Sequence, residues 1–473
     1  MSERKQVPGK KKWEKIKLPH TLVIIFAITL LAVLLTWIIP AGEYIREENA
    51  EGITVVDPES FHYIDSKGVN PIQIPKYMVE GFKGAAALIC FTLICGGAFD
   101  VIVASEAMQS LVGKIAKKLA HKEAIFIPML TTMFALICTT QSIETFIGFA
   151  PVMVMIMMAF GFDSICAAAI LIIGGGIGFS TGTLNPNTTA VAQRIAELPL
   201  YSGIGYRFVC MAAFLIFSNI YLIRYARRIR ATPSLSPMYE LDRQRPEVNV
   251  EIDSFGEMTL QKWLVVAALV VTLALIVYGS IKLGWSMDYI SAAFIWMAIA
   301  AGFAAGFKPS QIASCMVNGA KRVVSIALII GSARAISGIL SAGAVLDTVV
   351  HGLSKVLMVL PNGLRGIAMY IANIIVNFFL TSGSGQAAVV MPIFIPMADM
   401  VGISRQTAIL AFNFGDGFCN YILPYSTTTM GIIGNCGVPY EKWMKFTGKL
   451  FAIWVAVGSV MILIAQLIGY GPM

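Results

Sequence analysis

Apolar residues in this chain run together in long blocks, without the alternation of a strand or the stripe of a surface helix. The block Thr21–Pro40 is long enough to cross a bilayer as one helix at 1.5 Å per residue. Similar blocks at 85–104, 263–281, 287–306, 323–341 and 446–467, and one ending near Leu222, predict further straight spans. Four other blocks are interrupted by small and polar residues. Two predict re-entrant hairpins, over about 124–160 and 364–401. Their tips are Thr139-Thr140-Gln141-Ser142-Ile143-Glu144-Thr145 and Thr381-Ser382-Gly383-Ser384-Gly385-Gln386. The other two predict broken helices, over about 166–197 and 405–434. In the first, Gly174-Gly175-Gly176, Gly178 and Ser180-Thr181-Gly182-Thr183 lead to Asn185-Pro186-Asn187-Thr188-Thr189. In the second, Asn413-Phe414-Gly415-Asp416-Gly417 leads through Asn420 to Pro424-Tyr425-Ser426-Thr427-Thr428-Thr429.

Composition narrows the class. Of 473 residues 57% are apolar and 13% charged, roughly half the charged fraction of about 25% in a soluble domain. Together with the span-length blocks this predicts an all-α polytopic membrane protein and excludes a soluble globule or a disordered chain. The net charge of +8 gathers at block ends, which fits membrane topology; no basic stripe with interleaved aromatics points to nucleic acid. The eight cysteines lack metal-ligand spacing and read as buried small hydrophobes. The four histidines lie near block ends, away from mid-membrane.

Charge sets the expected threading. Residues 1–20 hold seven Lys and Arg and are expected in the cytoplasm. Residues 41–84, with eight acidic against four basic residues, suit the outside. Lys114, Lys117, Lys118 and Lys122, then Arg224, Arg227, Arg228 and Arg230, then Lys442, Lys445 and Lys449 mark later inner ends, which leaves the C-terminus outside. The polar stretch 231–260 is expected to be a cytoplasmic linker between two halves, 21–230 and 261–473.

The halves resemble each other. A shift of 238 sets Met78-Val79-Glu80-Gly81-Phe82-Lys83 beside Met316-Val317-Asn318-Gly319-Ala320-Lys321, identical at four of six positions. With small gaps Thr140 meets Thr381, Pro151 meets Pro392, Gly161 meets Gly402 and Gly178-Phe179 meets Gly417-Phe418. Counting spans puts Met78 outside and Met316 inside, so the copies are expected to be inverted, an arrangement of alternating-access carriers with the substrate at the repeat interface.

Irregular backbone inside a bilayer is tolerated where it lines a cavity or is buried in protein. Its bare N–H groups can hold a carboxylate and its bare carbonyls a cation such as Na⁺. The candidate substrate-binding residues are therefore Thr140, Ser142, Glu144 and Thr145 at the first tip and Asn185, Asn187 and Thr188 in the first break. In the second half they are Ser382, Gly383, Ser384 and Gly385 at the tip, and Asn413, Asp416, Asn420, Ser426 and Thr427 at the break. A Na⁺ site is expected at the Thr183–Asn187 and Gly415–Asn420 breaks, or a proton on Glu144 or Asp416; no other cofactor is expected. Asp100 and Arg334 also lie within apolar blocks, where a charge costs about 2.5–3.5 kcal/mol, and read as snorkelling or paired groups. Helix N-termini could hold a substrate's α-carboxylate, with Glu144 or Asp416 receiving a cationic end.

Thr381–Ala388 with Met391-Pro392-Ile393 and Pro396-Met397-Ala398-Asp399 resembles the second hairpin of the YfcC-like and DcuC-type carriers of the ion transporter superfamily. These stand beside the ArcD-type (non-APC) basic amino acid antiporters. Asn413–Asn420 resembles the Gly-Asp…Asn stretch of the p-aminobenzoyl-glutamate (AbgT) transporter family. The resemblance implies a homodimer with scaffold and transport domains and elevator-type alternating access. Ile143-Glu144-Thr145 departs from the Ser-Asn-Thr type of tip in simpler relatives, which puts a direct transfer of dicarboxylate specificity in doubt. The sequence thus reads as a secondary carrier of a small amino acid or carboxylate in the cytoplasmic membrane, first a basic amino acid exchanger, second a C4-dicarboxylate or peptide-like carboxylate carrier. A channel is the reading from another class. An intramembrane enzyme lacks HExxH and GxSxG motifs.

Overall fold

A computed structural model describes residues 21–48, 54–57, 59–107, 110, 123–245, 258–283 and 285–471. The expected cytoplasmic N-terminus, Lys114, Lys117, Lys118, Lys122 and the second half of the linker lie outside the described residues. Helix α1 (Thr21–Ile38) is followed by two small ribbons, in which β1 (Gly42–Glu43) pairs with β4 (His62–Tyr63) and β2 (Arg46–Glu48) with β3 (Thr54–Val56), both antiparallel. Then come α2 (Ile74–Gly84), α3 (Ala86–Ala104), α4 (Glu123–Cys138), a 3₁₀ turn at Ile143–Phe149, α5 (Ala150–Ala159), α6 (Ser164–Ser180), α7 (Thr189–Ile195), α8 (Ile204–Ala231) and the short α9 (Tyr239–Arg243). The second half contains α10 (Leu260–Leu283), α11 (Met287–Ala304), α12 (Pro309–Ala342), α13 (Leu346–Val359), α14 (Asn362–Phe379), α15 (Gly383–Met400), α16 (Arg405–Cys419), α17 (Thr427–Asn435) and α18 (Tyr440–Leu467). Among the described residues five helices are long and apolar enough to cross a membrane: α3, α8, α11, α12 and α18.

Two expected boundaries need correction. The span placed at 323–341 begins at Pro309, because Ser310, Gln311, Asn318 and Lys321 continue the helix without a breaker. The span placed at 85–104 continues α2 across a single non-helical residue, Ala85.

One group of helices is built on α2–α3 and α12, which cross antiparallel with α1 and α11 against them. Glycine makes the crossing close. A Cβ on Gly81 would sit 2.5 Å from the Gly331 carbonyl, one on Gly97 2.7 Å from the Met316 carbonyl, and one on Gly319 2.2 Å from the Gly96 carbonyl. Beside this contact Arg322 and Asp100 form an ion pair at 2.7 Å with Asp100 buried. Under the shift of 238, the partners of Gly84 and Asp100 are Arg322 and Gly338. The related place at the other end of the crossing therefore holds two glycines where this end holds an ion pair.

The second group is built on α6 and α16, both buried along nearly their whole length: α6 is apolar all round, whereas α16 buries Gln406, Thr407, Asn413 and Asp416 among its apolar residues. Arms α4 and α5 pack on α6, and arms α14 and α15 on α16. Each pair of arms returns to its starting side. Phe126 and Phe160 meet at 4.9 Å between ring centroids, and Arg365 Nη1 donates to the Val401 carbonyl at 2.9 Å. The two bases lie at opposite ends. Arg230, at the end of α8, stacks over Phe162 beside the first base. Near the second base, Ser404 Oγ donates to the carbonyl of Tyr470, beyond the end of α18. Helices α8 and α18 are antiparallel neighbours, with Tyr206 Oη donating to Met461 O and Tyr221 Oη to Phe446 O.

The described half of the linker is not a loose tether. Asp242 accepts from Ser164 N at 3.0 Å and Ser164 Oγ at 2.8 Å at the start of α6, and pairs with Arg245 at 2.9 Å. Arg245 donates to Cys436 O just beyond α17. Residues 232–245 therefore join the ends of two elements from different halves.

Gly319→Ala forces the crossing apart and is expected to cost about 1–3 kcal/mol. Gly448→Ala, where a Cβ meets nothing within 4 Å, is expected not to lower stability. Thermal melting of the two variants in detergent tests this.

Candidate substrate cavity

Both breaks keep their shape through side-chain bonds that replace the lost helix ladder. In the first, Gly182 takes a left-handed φ of +63°, and Asn185 Oδ1 accepts from the backbone N–H of Asn187 at 2.9 Å and Thr188 at 3.1 Å. In the second, Ser426 caps α17 and Asn420 Nδ2 donates to the Asp416 carbonyl at 2.9 Å. The same device recurs in each: Thr189 Oγ1 donates to Gly182 O and Thr429 Oγ1 to Asn420 O, both at 2.8 Å. Asn413 Nδ2, on α16, donates to Thr189 Oγ1 at 3.1 Å and so ties the breaks together.

The two tips and two breaks meet around a cavity of about 600 Å³. Of the candidate residues, Ser142, Glu144, Asn187, Thr188, Ser382, Gly383, Ser384, Asn420, Ser426 and Thr427 line it. Thr140, Thr145, Asn185, Gly385, Asn413 and Asp416 do not. Ile143, Phe179, Leu380, Thr381, Tyr421, Tyr425 and Thr428 complete that side, and a facing wall that was not anticipated comes from α2 and α12: Tyr77, Glu80, Gly81, Arg334, Ser337, Gly338 and Ser341. Arg334 is exposed to the cavity, and a Cβ on Gly84 would lie 3.0 Å from its Nε. The ionisable wall residues are Glu80, Glu144 and Arg334, a formal charge of −1.

Two helix N-termini reach the cavity. Ser382 caps α15, whose first residues Gly383 and Ser384 line the wall. Thr427 and Thr428 open α17. The α17 end already meets a carboxylate, since Thr428 Oγ1 donates to Glu144 Oε1 at 2.6 Å and Ser142 Oγ donates to the other oxygen. An anion there is favoured by the partial positive charge of the helix end. At the α15 end the nearest carboxylate among the described residues is Asp416, which lies behind Gly383 and accepts no hydrogen bond through Oδ2.

Asp416 lies behind the second tip, fully buried. Its Oδ1 accepts from Asn377 Nδ2 at 3.0 Å, while Oδ2 has no partner. A Cβ on Gly383 would meet both Asp416 Oδ2, at 2.9 Å, and Thr188 Cγ2, at 2.6 Å. Thr183 Oγ1, Thr188 Oγ1, Asn377 Oδ1 and Asn413 Oδ1 are also buried and unpartnered. Such a set of orphaned oxygens is unusual and costly. Among the described residues no group of three or more His, Cys, Asp or Glu gathers for a metal ion.

Comparison with known proteins places this architecture. The profile of DcuC, the C4-dicarboxylate anaerobic carriers, matches residues 18–467. The chain belongs to the DcuC family. It is therefore a multi-pass membrane transporter and not an enzyme. Within reach of this DcuC-family chain is a protein of Escherichia coli strain K12 named "Putative basic amino acid antiporter YfcC", 31% identical over 492 residues, covering 96% of this chain and 97% of its own. A protein of Haemophilus influenzae is 25% identical over 96% of this chain and 98% of its own. Solved structures are more distant. MtrF of Neisseria gonorrhoeae, described within a class of antimetabolite efflux pumps, has a TM-score of 0.40 and 16% identity over 96% of each chain. The YdaH transporter of Alcanivorax borkumensis has 0.41 and 15% over 95% of this chain and 99% of its own.

Gly383→Ala is expected to displace the second tip and to speed backbone hydrogen exchange at residues 380–386 about tenfold, the equivalent of about 1.4 kcal/mol. Gly363→Ala at the base of the same hairpin, where a Cβ meets nothing within 4 Å, is expected to leave exchange there unchanged.

Proposed function

We propose that the protein exchanges amino acids with a cationic side chain, of the arginine and ornithine type, across the cytoplasmic membrane. One observation carries this reading: Glu144 already places a carboxylate beside the first turn of α17, on the Thr428 hydroxyl. The cavity offers two helix N-termini, the number a dicarboxylate would use, and the chain's own carboxylate takes one. A substrate with one carboxylate and a cationic end matches what remains. Its α-carboxylate sits at the α15 end, on Ser382, Gly383 and Ser384, and its cationic end on Glu144. The wall charge of −1 complements a substrate of charge +1, and the name of the Escherichia coli relative points the same way.

The family description and Arg334, which has no ion-pair partner among the described residues, favour a second reading, a C4-dicarboxylate or peptide-like carboxylate carrier with Glu144 displaced. In either reading the chain is two inverted repeats, supported by the glycine contacts at both ends of the α2–α3/α12 crossing and by hairpin bases at opposite ends. Helices α1–α3 and α10–α12 serve as scaffold. The hairpins and broken helices move past them as the transport domain of an elevator, in a homodimer with cytoplasmic N-termini and outward C-termini. A coupling Na⁺ or H⁺ suits the orphaned oxygens at the Thr183–Asn187 and Gly415–Asn420 breaks. Asp416, Thr188 and Asn413 would hold it and supply a charge that travels with the substrate.

Counterflow into proteoliposomes loaded with unlabelled arginine tests the proposal, with a succinate set run beside it. Labelled arginine is expected to accumulate and to be displaced by ornithine. Glu144→Gln is expected to lower the arginine rate about 10- to 100-fold, the scale of one charge-assisted hydrogen bond. Uptake in the succinate set alone would overturn the proposal in favour of the second reading.

A further inference from the structure

A second cavity, of about 360 Å³, lies between the end of α8 and the start of α18 and shares no lining residue with the substrate cavity. Arg224 and Arg228 line it from α8, and Lys445 and Lys449 from α18. Each pair is four residues apart, so each faces one way from its helix. All four side chains are exposed, and none forms an ion pair among the described residues. Among the described residues no carboxylate lines the groove; its other walls are Tyr221, Tyr225, Phe446, Ile229, Leu235 and Pro237. The nearby Asp163 is already engaged, accepting from Tyr225 Oη and Ser236 Oγ at 2.6 Å each and from Cys166 N at 2.9 Å. Four like charges around one groove repel one another unless an anion joins them.

The surface above the cations is apolar. On α8, Phe217 and Ile220 lie two turns and one turn before Arg224 on the same side and are 50% and 42% exposed. On α18, Ala452 and Ala456 continue the face of Lys449 and are exposed. A charged groove opening onto an exposed apolar strip fits an amphiphile whose anionic head is seated among the cations and whose chains lie along the strip.

We propose that this groove binds the phosphodiester headgroup of an anionic phospholipid. Arg224 and Arg228 offer forked N–H donors to phosphate oxygens, Lys445 and Lys449 supply compact charge from the facing helix, and acyl chains lie against Phe217 and Ile220. Basic pockets between membrane helices on the cytoplasmic side commonly hold such headgroups. The groove also touches Leu235 and Pro237 of the docked linker, so a lipid here bridges α8, α18 and the linker. The assignment holds whichever solute the substrate cavity carries.

The test is titration of the delipidated, detergent-purified full chain with phosphatidylglycerol or cardiolipin and, separately, with phosphatidylcholine, read by native mass spectrometry and thermal melting. The anionic lipids are expected to be retained and to raise the melting temperature, and phosphatidylcholine to do neither. R224Q/R228Q/K445Q/K449Q is expected to lose at least tenfold in apparent affinity. Each pairwise variant is expected to lose an intermediate amount, which keeps the test decisive if the quadruple variant does not insert. K308Q/K321Q controls for charge elsewhere and is expected to bind as the wild type does. Equal anionic-lipid binding by wild type and variants would overturn the proposal. So would equal stabilisation by inorganic phosphate, which would assign a soluble anion. Lipid binding that emerges only when Glu247, Glu251, Asp253 and Glu257 are changed to Gln would give the groove to the chain's own acidic segment instead.

Discussion

A helix that stops inside a membrane leaves backbone N–H and carbonyl groups with no water to receive them. Among the described residues four such interruptions within the apolar blocks matter here, at Thr139–Ser142, Thr181–Thr188, Leu380–Ser382 and Asn420–Ser426. The rest of the architecture follows from bringing the four places together. The hydroxyl of Thr189 serves the first break and that of Thr429 the second. Asn413 joins the two breaks through Thr189, and Glu144 joins the first tip to the second break through Thr428. Of the residues whose oxygens remain unpartnered, Thr188 lines the cavity, whereas Thr183, Asn377, Asn413 and Asp416 lie outside its lining.

The opposite wall arises from an asymmetry in an otherwise repeated contact. Where α3 and α12 cross at one end, Asp100 and Arg322 close the gap with an ion pair. The related positions at the other end are Gly338 and Gly84. Two absent side chains open the space that Arg334 enters and that joins the hairpin tips. On the proposed reading this places charged and hydroxyl groups of the scaffold against a substrate carried by the moving part, so the scaffold helps select what is carried.

Much of this was legible in the sequence. The interruptions follow the small and polar clusters at Thr181–Thr188 and Asn420–Ser426, whereas Gly174–Gly178 and Asn413–Gly417 just before them stay helical and serve close packing. Other features were hidden for identifiable reasons. Asp416 lies in a broken helix but behind the tip, because its exposure depends on where Gly383 packs, and no local pattern encodes that. Thr428, whose hydroxyl meets Glu144, looked no different from its neighbours Thr427 and Thr429. The docking of residues 232–245 depends on Asp242 reaching Ser164 across 78 positions. Arg334 did leave a signal, a lone cation within an apolar block, and it was read as a snorkelling or paired group. The start of α12 was misplaced because its first turns are polar yet helical.

The most direct test of the central claim is a cryo-electron microscopy map of the protein in lipid nanodiscs with arginine bound. The account expects ligand density within the cavity, its guanidinium end within hydrogen-bonding distance of Glu144 and its carboxylate over Gly383 and Ser384 at the start of α15, with Glu144 still on Thr428. Density that places a carboxylate on Thr428 with Glu144 turned away, or a ligand seated outside this cavity, would contradict it.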